Sequence, residues 1–386
     1  MVAPVLARVK PGLILASLLA TGCVSAPISA SPSPSSSPAT LAACPASTAP
    51  STPQLLLRNL PAPDDLTFDN DGRLLFGDIK QGTVSALAPD GSVERIAGNL
   101  SIPEGLVVLE DGRILVAEQG RNRVMAIDPK THAISLWRAF PNRTANEGVD
   151  GIGPVIPVQD PAQSQDVIIP DSPNGVVLRV SPDGKTASQI AGGMTRPVGA
   201  AVDAAGRILV ADEGGVVWLL EPARRRFATL PTPDDVVVGK DGHVFVNTLG
   251  DNAVYELDGK GAVLGVQRGL QQPQGIALDG ADNLYYTETT AGLIVRVIRT
   301  FSLASPRVSR VATQTYVVCP SISRAAGFRE PLILETGTSL GTAVLSRIEP
   351  GNETSGALKI QTPDPEITIR VSGGGLSLSQ RISLSP

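Results

Sequence analysis

The chain has 386 residues, of which 42% are hydrophobic and only 3% aromatic, with 39 Gly and 33 Pro. Such a composition can bury a large core and is typical of many short strands joined by tight turns. The formal net charge of −5 and the lack of long basic runs argue against nucleic acid as a partner.

The first 23 residues predict an export signal. Arg8 and Lys10 precede an apolar run, Leu13–Ala20, that is too short to span a bilayer. The sequence LATGC then places small residues before Cys23, which resembles a bacterial lipoprotein signal in which Cys23 is acylated. An ordinary secretory signal is the alternative. Both interpretations predict an exported protein, secreted or held at the cell envelope, that meets the membrane only through its lipid anchor.

Residues 24–53 are rich in Ser, Pro and Ala, and this composition cannot form a packed core. We expect a disordered tether there. Once Cys23 is set aside, Cys44 and Cys319 are the remaining cysteines, and two cysteines in an exported chain predict a disulfide. Such a bond would join the segments on either side of the repeats described next.

A repeated pattern fills residues 54–300. Each unit begins with a strand, continues through a turn rich in Asp and Gly, and returns in a second apolar run. Five units start at a proline, and a longer unit completes a set of six: Pro63, Pro103, Glu147–Val180, Pro197, Pro233 and Pro273. A third strand is visible in every unit, and a fourth precedes the next unit.

The order of the fourth strands predicts a closed ring. Gln54–Leu60 has the fourth-strand pattern but comes before the first unit, and the last unit lacks such a strand. A ring in which Gln54–Leu60 completes the last sheet removes an exposed edge. We therefore predict an all-β protein: a six-bladed β-propeller with four-stranded blades over residues 54–300, and a small β-rich C-terminal appendage over residues 301–386.

Acidic residues recur at two places in the units. Those that end the second strands are repeated in nearly every unit, which favours a structural role as acceptors of turn amides. They are Asp78, Glu118, Asp171, Asp212 and Glu288. Others begin the innermost strands: Asp64, Asp65, Glu104, Glu147, Asp150, Asp234 and Asp235.

The acids at the strand starts are the candidate functional residues. In a propeller these starts surround one mouth of the central channel, where carboxylates repel one another unless a cation or shared protons intervene. Clusters of oxygen ligands suit Ca²⁺, Mg²⁺ or Mn²⁺. The alternative is that these side chains cap turns or face water. We expect Glu104, Asp64, Glu147 and Asp234 to converge, and Glu118 to lie away from the axis.

Two blades resemble known repeats. The stretch PEGLVVLEDGRILVAEQGRNRVMAID, from Pro103, resembles NHL-type repeats. The stretch DDLTFDNDGRLLFGDIKQGTVSALAPDG, from Asp64, resembles the first blade of the senescence-marker-protein/gluconolactonase family, which includes regucalcin. That family binds one divalent metal through a Glu, two Asn and an Asp. The resemblance implies Asp64, Asn146 and Asp234 as ligands, whereas Val198 occupies the place of the other Asn; Glu104 or Glu147 would have to compensate.

Two functional hypotheses follow. The first is a hydrolase of a lactone or small ester, in which a divalent cation polarises the carbonyl and Asp234 acts as the base. Ca²⁺ is the first choice of cation, with Mn²⁺, Mg²⁺ or Zn²⁺ as alternatives. The second is a non-catalytic NHL-type propeller that binds a ligand or protein partner at the cell surface. The only histidines, His132 and His243, are not expected at the mouth, which argues against histidine-based catalysis.

Overall fold

The computed structural model describes residues 53–88, 90–141, 149, 165–220, 222–325, 327–351 and 357–384. The predicted signal, most of the predicted tether and the candidate residues Cys23, Cys44, Asn146, Glu147 and Asp150 lie outside this part of the chain. Within it, no helix has the length and apolar character needed to cross a membrane.

Antiparallel sheets follow one another along the described chain, and we number them as blades. After β1 (Gln54–Leu57), blade one contains β2 (Pro63–Phe68), β3 (Leu74–Asp78), β4 (Thr83–Leu87) and β5 (Val93–Ala97). Blade two contains β6 (Pro103–Val108), β7 (Ile114–Glu118), β8 (Arg123–Ile127) and β9 (Ile134–Ala139). The described strands of blade three are β10 (Val167–Asp171), β11 (Val176–Val180) and β12 (Ala187–Gly192).

The later blades repeat the same order. Blade four contains β13 (Pro197–Val202), β14 (Ile208–Asp212), β15 (Val216–Leu219) and β16 (Arg225–Thr229). Blade five contains β17 (Pro233–Val238), β18 (Val244–Thr248), β19 (Ala253–Leu257) and β20 (Val263–Arg268). Blade six contains β21 (Ile276–Leu278), β22 (Leu284–Glu288) and β23 (Leu293–Val297), joined by β1. Short 3₁₀ helices occupy Gln119–Arg121 and Ser172–Asn174.

The blades pack face to face through their second strands. Strands β3, β7, β10, β14 and β18 are buried at every position, because each is covered on both faces by neighbouring blades. Alternate side chains of one strand therefore join opposite neighbours. In blade four, for example, Val210 packs toward blade three and Leu209 toward blade five. The last hydrophobic cluster brings Tyr285 of blade six against Phe76 of blade one.

The first strand closes the ring. Strand β1 pairs antiparallel with β23, with Gln54 opposite Arg296 and Leu55 opposite Val295. The Arg296 Nε also donates a hydrogen bond to the Gln54 Oε1 at 3.2 Å. The prediction that the segment starting at Gln54 completes the last sheet is therefore confirmed, although the strand ends at Leu57 rather than at Leu60.

The C-terminal residues form two further sheets around one core. One sheet contains β24 (Phe301–Ala312), β25 (Thr315–Arg324) and β28 (Leu358–Gln361). The other contains β26 (Leu332–Thr338), β27 (Gly341–Ile348), β29 (Glu366–Gly373) and β30 (Leu376–Ser383). The β-rich appendage is confirmed. Cys319, in β25, is disulfide-bonded; because Cys44 lies outside the described residues, its pairing with Cys319 stays a prediction.

The appendage rests on the hairpins of blades six and one. The Ser377 N–H donates to the Gly280 carbonyl at 3.1 Å, and Arg381 forms an ion pair with Asp71 at 3.3 Å. Ala281, in the blade-six hairpin, belongs to the core of the appendage. The two parts therefore share a hydrophobic core as well as polar contacts.

Asp279 organises the blade-six hairpin beneath this contact. Its Oδ1 accepts hydrogen bonds from the Ala281 and Asn283 amides at 2.9 and 3.0 Å. Its Oδ2 accepts from the Asn283 Nδ2 and the Tyr285 hydroxyl at 2.9 and 3.0 Å. Burial raises the pKa of Asp279 above its ordinary value, although these hydrogen bonds act in the opposite direction.

The raised pKa predicts a pH-dependent effect of Asp279→Asn. The folded state binds this proton more tightly than the unfolded state. Protonation of Asp279 thus contributes to the free energy of unfolding below about pH 4. This contribution is lost as pH rises through the folded-state pKa of Asp279. The free energy of unfolding of the wild type, minus that of Asp279→Asn, should therefore decrease from about pH 4 toward neutrality in urea denaturation.

Asp128→Asn is the matched control for this measurement. Hydrogen bonds from the Thr131 amide and hydroxyl lower the pKa of Asp128, so its contribution is lost as pH falls. The free energy of unfolding of the wild type, minus that of Asp128→Asn, should therefore increase with pH. A difference for Asp279→Asn that is flat, or that rises with pH, contradicts the raised pKa.

Candidate active site in the central cavity

The innermost strands surround a central cavity of ≈ 270 Å³. Its described lining comes from β2, β6, β13, β17 and β21 and the residues just before β21. Four carboxylates line it: Asp64, Asp65, Asp234 and Asp235. The described lining contains no Lys, Arg or His, so the cavity is electrically negative.

The paired aspartates stand where two innermost strands leave regular pairing. In blade one, Pro63 is opposite Asp78, and the register shifts before Leu66. Blade five repeats this shift between Pro233 and Val236. An irregularity of this kind changes which way successive side chains point. The two aspartates of each pair consequently take different roles.

The second aspartate of each pair links two blades. The Asp65 carboxylate accepts from the Leu66 N–H at 2.7 Å and from the Leu106 N–H of blade two at 2.6 Å. The Asp235 carboxylate accepts from the Val236 N–H at 2.8 Å and from the Ile276 N–H of blade six. These contacts satisfy backbone amides of neighbouring innermost strands.

The carboxylates also repel one another. Asp235 has a pKa well above its ordinary value, first because burial penalises its charged form and next because the charges of Asp65 and Asp64 lie close to it. A positively charged group or a shared proton in this cavity therefore lowers the electrostatic free energy of the site.

The first aspartate of each pair faces the cavity from a buried position. Asp64 and Asp234 are 6% and 5% exposed. The Asn247 Nδ2 donates to the Asp234 Oδ2 at 3.2 Å and to the Pro273 carbonyl at 2.8 Å. The Asn247 Oδ1 accepts from the Asp235 N–H at 2.7 Å. Fully buried Asn247 therefore orients Asp234 and anchors the backbone that carries it.

Sequence reasoning missed Asn247. It lies in the second strand of blade five, VFVNT, at the place where blades one, two and four have Gly77, Ala117 and Ala211. The available signal was a polar side chain in a strand that the repeat predicts to be buried on both faces. Thr287 holds the same place in blade six, and its Oγ1 accepts from the Gly275 N–H at 2.8 Å.

Two glycines permit the close approach of the innermost strands. A Cβ on Gly275 would lie 2.2 Å from the Asp64 carbonyl oxygen and 2.6 Å from the Asp65 Cα. A Cβ on Gly199 would lie 2.5 Å from the Asp235 Cα. Each aspartate pair thus stands beside a glycine from the preceding blade, and larger residues would force the strands apart.

The other predicted residues have different surroundings. Glu104 is half-buried, and its Oε2 accepts from the Gln119 Nε2 at 2.5 Å; the neighbouring Gly105, rather than Glu104, lines the cavity. Val198 lines the cavity and supplies no ligand atom. Asn146 and Glu147 lie outside the described residues.

The structural role predicted for Glu118 is confirmed. Its buried carboxylate accepts from the Ser101 N–H at 2.8 Å and pairs with Arg121 and Arg123. Asp78, Asp212 and Glu288 likewise accept backbone amides from the segments that precede their blades.

The cavity offers the type of ligand atom that a divalent cation prefers, but the described residues offer fewer ligands than such an ion takes. The carboxylate oxygens of Asp64 and Asp234 suit a hard cation, which for Ca²⁺ takes about 6–8 oxygens. Over the described residues, no group of three or more His, Cys, Asp or Glu is arranged to hold a metal ion. Any further side-chain ligands from the predicted set would have to come from Glu104, Asn146 or Glu147.

Comparison with known proteins gives the family resemblance. Residues 157–314 match the family model described as SMP-30/Gluconolactonase/LRE-like region. The chain carries a gluconolactonase-like region. This match confirms the predicted resemblance and spans blades three to six, whereas blade one, on which the resemblance was based, lies outside it. No curated protein matches the chain.

Solved structures share the fold. A gluconolactonase from Xanthomonas campestris aligns at 20% identity and a TM-score of 0.54, over 63% of this chain and 88% of its own. The calcium-binding protein regucalcin from Agrobacterium tumefaciens aligns at 15% identity and a TM-score of 0.54, over 65% of this chain and 95% of its own. These gluconolactonase-like neighbours support the β-propeller architecture.

The strand spacing predicts that Gly275→Ala is destabilising. The added Cβ meets backbone atoms of Asp64 and Asp65, which cannot rotate away, so we expect a loss of about 1–3 kcal/mol in the free energy of unfolding. Gly98→Ala is the control, because its Cβ meets nothing within 4 Å and its φ is not in the left-handed region. Equal effects of the two changes in denaturant titration would contradict the close approach.

Proposed function

We propose that this protein is a lactonase-type hydrolase that opens a lactone or small ester in the central cavity, with Asp234 as general base. The observation that carries the proposal is the placement of Asp234. It is buried, lines the cavity and is oriented by Asn247 within the gluconolactonase-like region.

The proposed reaction consumes one water molecule per ester bond. Asp234 accepts a proton from water as the water oxygen attacks the carbonyl carbon. The bond from that carbon to the ring oxygen then breaks, the leaving oxygen takes the proton, and a hydroxy acid forms. The negative surroundings of the cavity favour a carboxylate that accepts a proton, since protonation reduces the repulsion that also raises the pKa of Asp235.

A divalent cation is part of the proposal. Asp64 and Asp234 would hold it, with Asn146, Glu147 and Glu104 as the remaining candidates. When bound, such an ion polarises a substrate carbonyl. Ca²⁺ is the first candidate, because a neighbour of the same fold is a calcium-binding protein; Mn²⁺, Mg²⁺ and Zn²⁺ are the alternatives.

A second candidate function rests on Val198. An apolar side chain at the place of a family ligand favours a non-catalytic propeller that binds a small molecule or a protein. For either function we propose export, with a lipid anchor at Cys23 or secretion into the surroundings, and a disulfide between Cys44 and Cys319.

Metal binding predicts a change in thermal stability. Ca²⁺ added to chelated protein at 100 times its dissociation constant should stabilise the fold by about 2.7 kcal/mol and raise the melting temperature. Asp234→Ala should abolish this increase. Glu118→Ala should lower the melting temperature of the chelated protein and leave the increase intact. An unchanged melting temperature with Ca²⁺, Mn²⁺, Mg²⁺ and Zn²⁺ argues for the binding propeller.

If the protein is a hydrolase, substitutions of Asp234 and Asn247 should change its kinetics in different ways. Asp234→Asn should lower kcat on glucono-δ-lactone or on simple aliphatic lactones by about 10²-fold or more, because it removes the base. Asn247→Thr keeps an acceptor for the Asp235 N–H, as Thr287 does in blade six, but removes the donor to Asp234.

The expected signature of Asn247→Thr is a shift in the pH–rate profile. Loss of a hydrogen bond to the charged carboxylate favours its protonated form, so the acid limb should move to higher pH while the fold is retained. A uniform loss of kcat at every pH would instead indicate a purely structural role. Equal activity of wild type and Asp234→Asn would overturn the proposal.

A further inference from the structure

A second cavity, of ≈ 200 Å³, lies where blade four meets blade five. Its apolar walls are Leu209, Phe227, Val238 and Val244, and Gly242 and Gly259 complete it. The ion pair between Arg207 and Asp203, 2.6 Å long, stands at its edge. Val238, at the end of β17, also lines the central cavity, and none of the other described residues lines both.

At the junction of blades two and three, an indole fills the equivalent place. In β16, the outermost strand of blade four, Phe227 is the extra residue at the register shift with β15. Trp137 is the corresponding extra residue in β9 of blade two. The Trp137 indole packs at the junction with blade three, and its Nε1 donates to the Pro182 carbonyl at 3.0 Å. A Cβ on Gly184 would lie 3.0 and 3.1 Å from carbons of this indole.

The hairpin of blade five repeats that of blade three with smaller residues. The Gly261 N–H donates to the Asp258 carbonyl at 3.0 Å, as the Gly184 N–H does to the Ser181 carbonyl at 2.8 Å. Gly259 therefore corresponds to Pro182. A phenyl ring replaces an indole and a glycine replaces a proline, so this junction lacks the ring and the N–H that fill the other one.

We propose that the cavity between blades four and five binds the indole-type ring of a free small molecule. The ring would pack against Leu209 and Phe227, and its N–H would donate to the Gly259 carbonyl, as the Trp137 N–H does to Pro182. The cavity, at ≈ 200 Å³, is larger than the apolar cavity of about 150 Å³ that binds benzene. The site is independent of the proposed hydrolysis.

The test is a titration of the full chain with 5-fluoroindole, followed by ¹⁹F NMR. Wild type should give saturable broadening of the fluorine signal. Phe227→Trp fills the cavity with the protein's own indole, so the dissociation constant should rise at least tenfold while the melting temperature stays or increases. Should Phe227→Trp fail to fold, Val244→Leu, which adds one carbon to the apolar wall of the cavity, should weaken binding in the same direction.

The controls separate this cavity from other apolar surfaces. Ile96→Leu, at the corresponding position of blade one, should leave the dissociation constant unchanged. Fluorobenzene, which has no N–H, should bind several-fold more weakly than 5-fluoroindole. Asp234→Asn should bind 5-fluoroindole normally, whether or not the chain is a hydrolase. No saturable binding by wild type, or undiminished binding by the cavity variants, overturns the proposal.

Discussion

The pairing of β1 with β23 is the contact on which the rest of the site depends. It joins the two ends of the repeat, and it brings blade six against blade one. Only in a closed ring does Gly275 lie against the backbone of Asp64. The same closure places Asp64 and Asp234, which are far apart in sequence, in one cavity. An open array of identical blades would leave these carboxylates on separate surfaces.

Closure also sets the electrostatics of the cavity. Four carboxylates converge in a described lining without basic side chains, which is costly unless each charge is compensated. Asp65 and Asp235 are compensated by two backbone amides each, and they hold neighbouring blades together in doing so. Asp64 and Asp234 face the same space, so the two side chains proposed to act on ligand lie where these carboxylates converge.

The fold was predictable from sequence, whereas the division of roles among the acids was only partly so. Proline starts, turn residues and the misplaced strand at Gln54 determined the repeat and its closure, because these signals are local. The grouping of Glu104 with Asp64 and Asp234 assumed that every strand start presents its acid alike. Strand β6 has the same register shift as β2 and β17, so strand pairing does not separate Glu104 from the aspartates. Neither the bond from Gln119 to Glu104 nor the support from Asn247 is encoded locally.

The ring provides its own comparison for separating structural from functional residues. Glu118 occupies a place that is acidic in nearly every blade, and it bonds to backbone as its counterparts do. Asn247 instead departs from the small residues Gly77, Ala117 and Ala211 at the same position of other blades, and Gly259 stands where blade three has Pro182. A residue that differs from its equivalents in other blades and packs more tightly than they do would need no functional explanation. Asn247 donates its amide to a cavity carboxylate, and Phe227 with Gly259 borders the second cavity, so both candidate sites are defined by residues that the repeat alone does not predict.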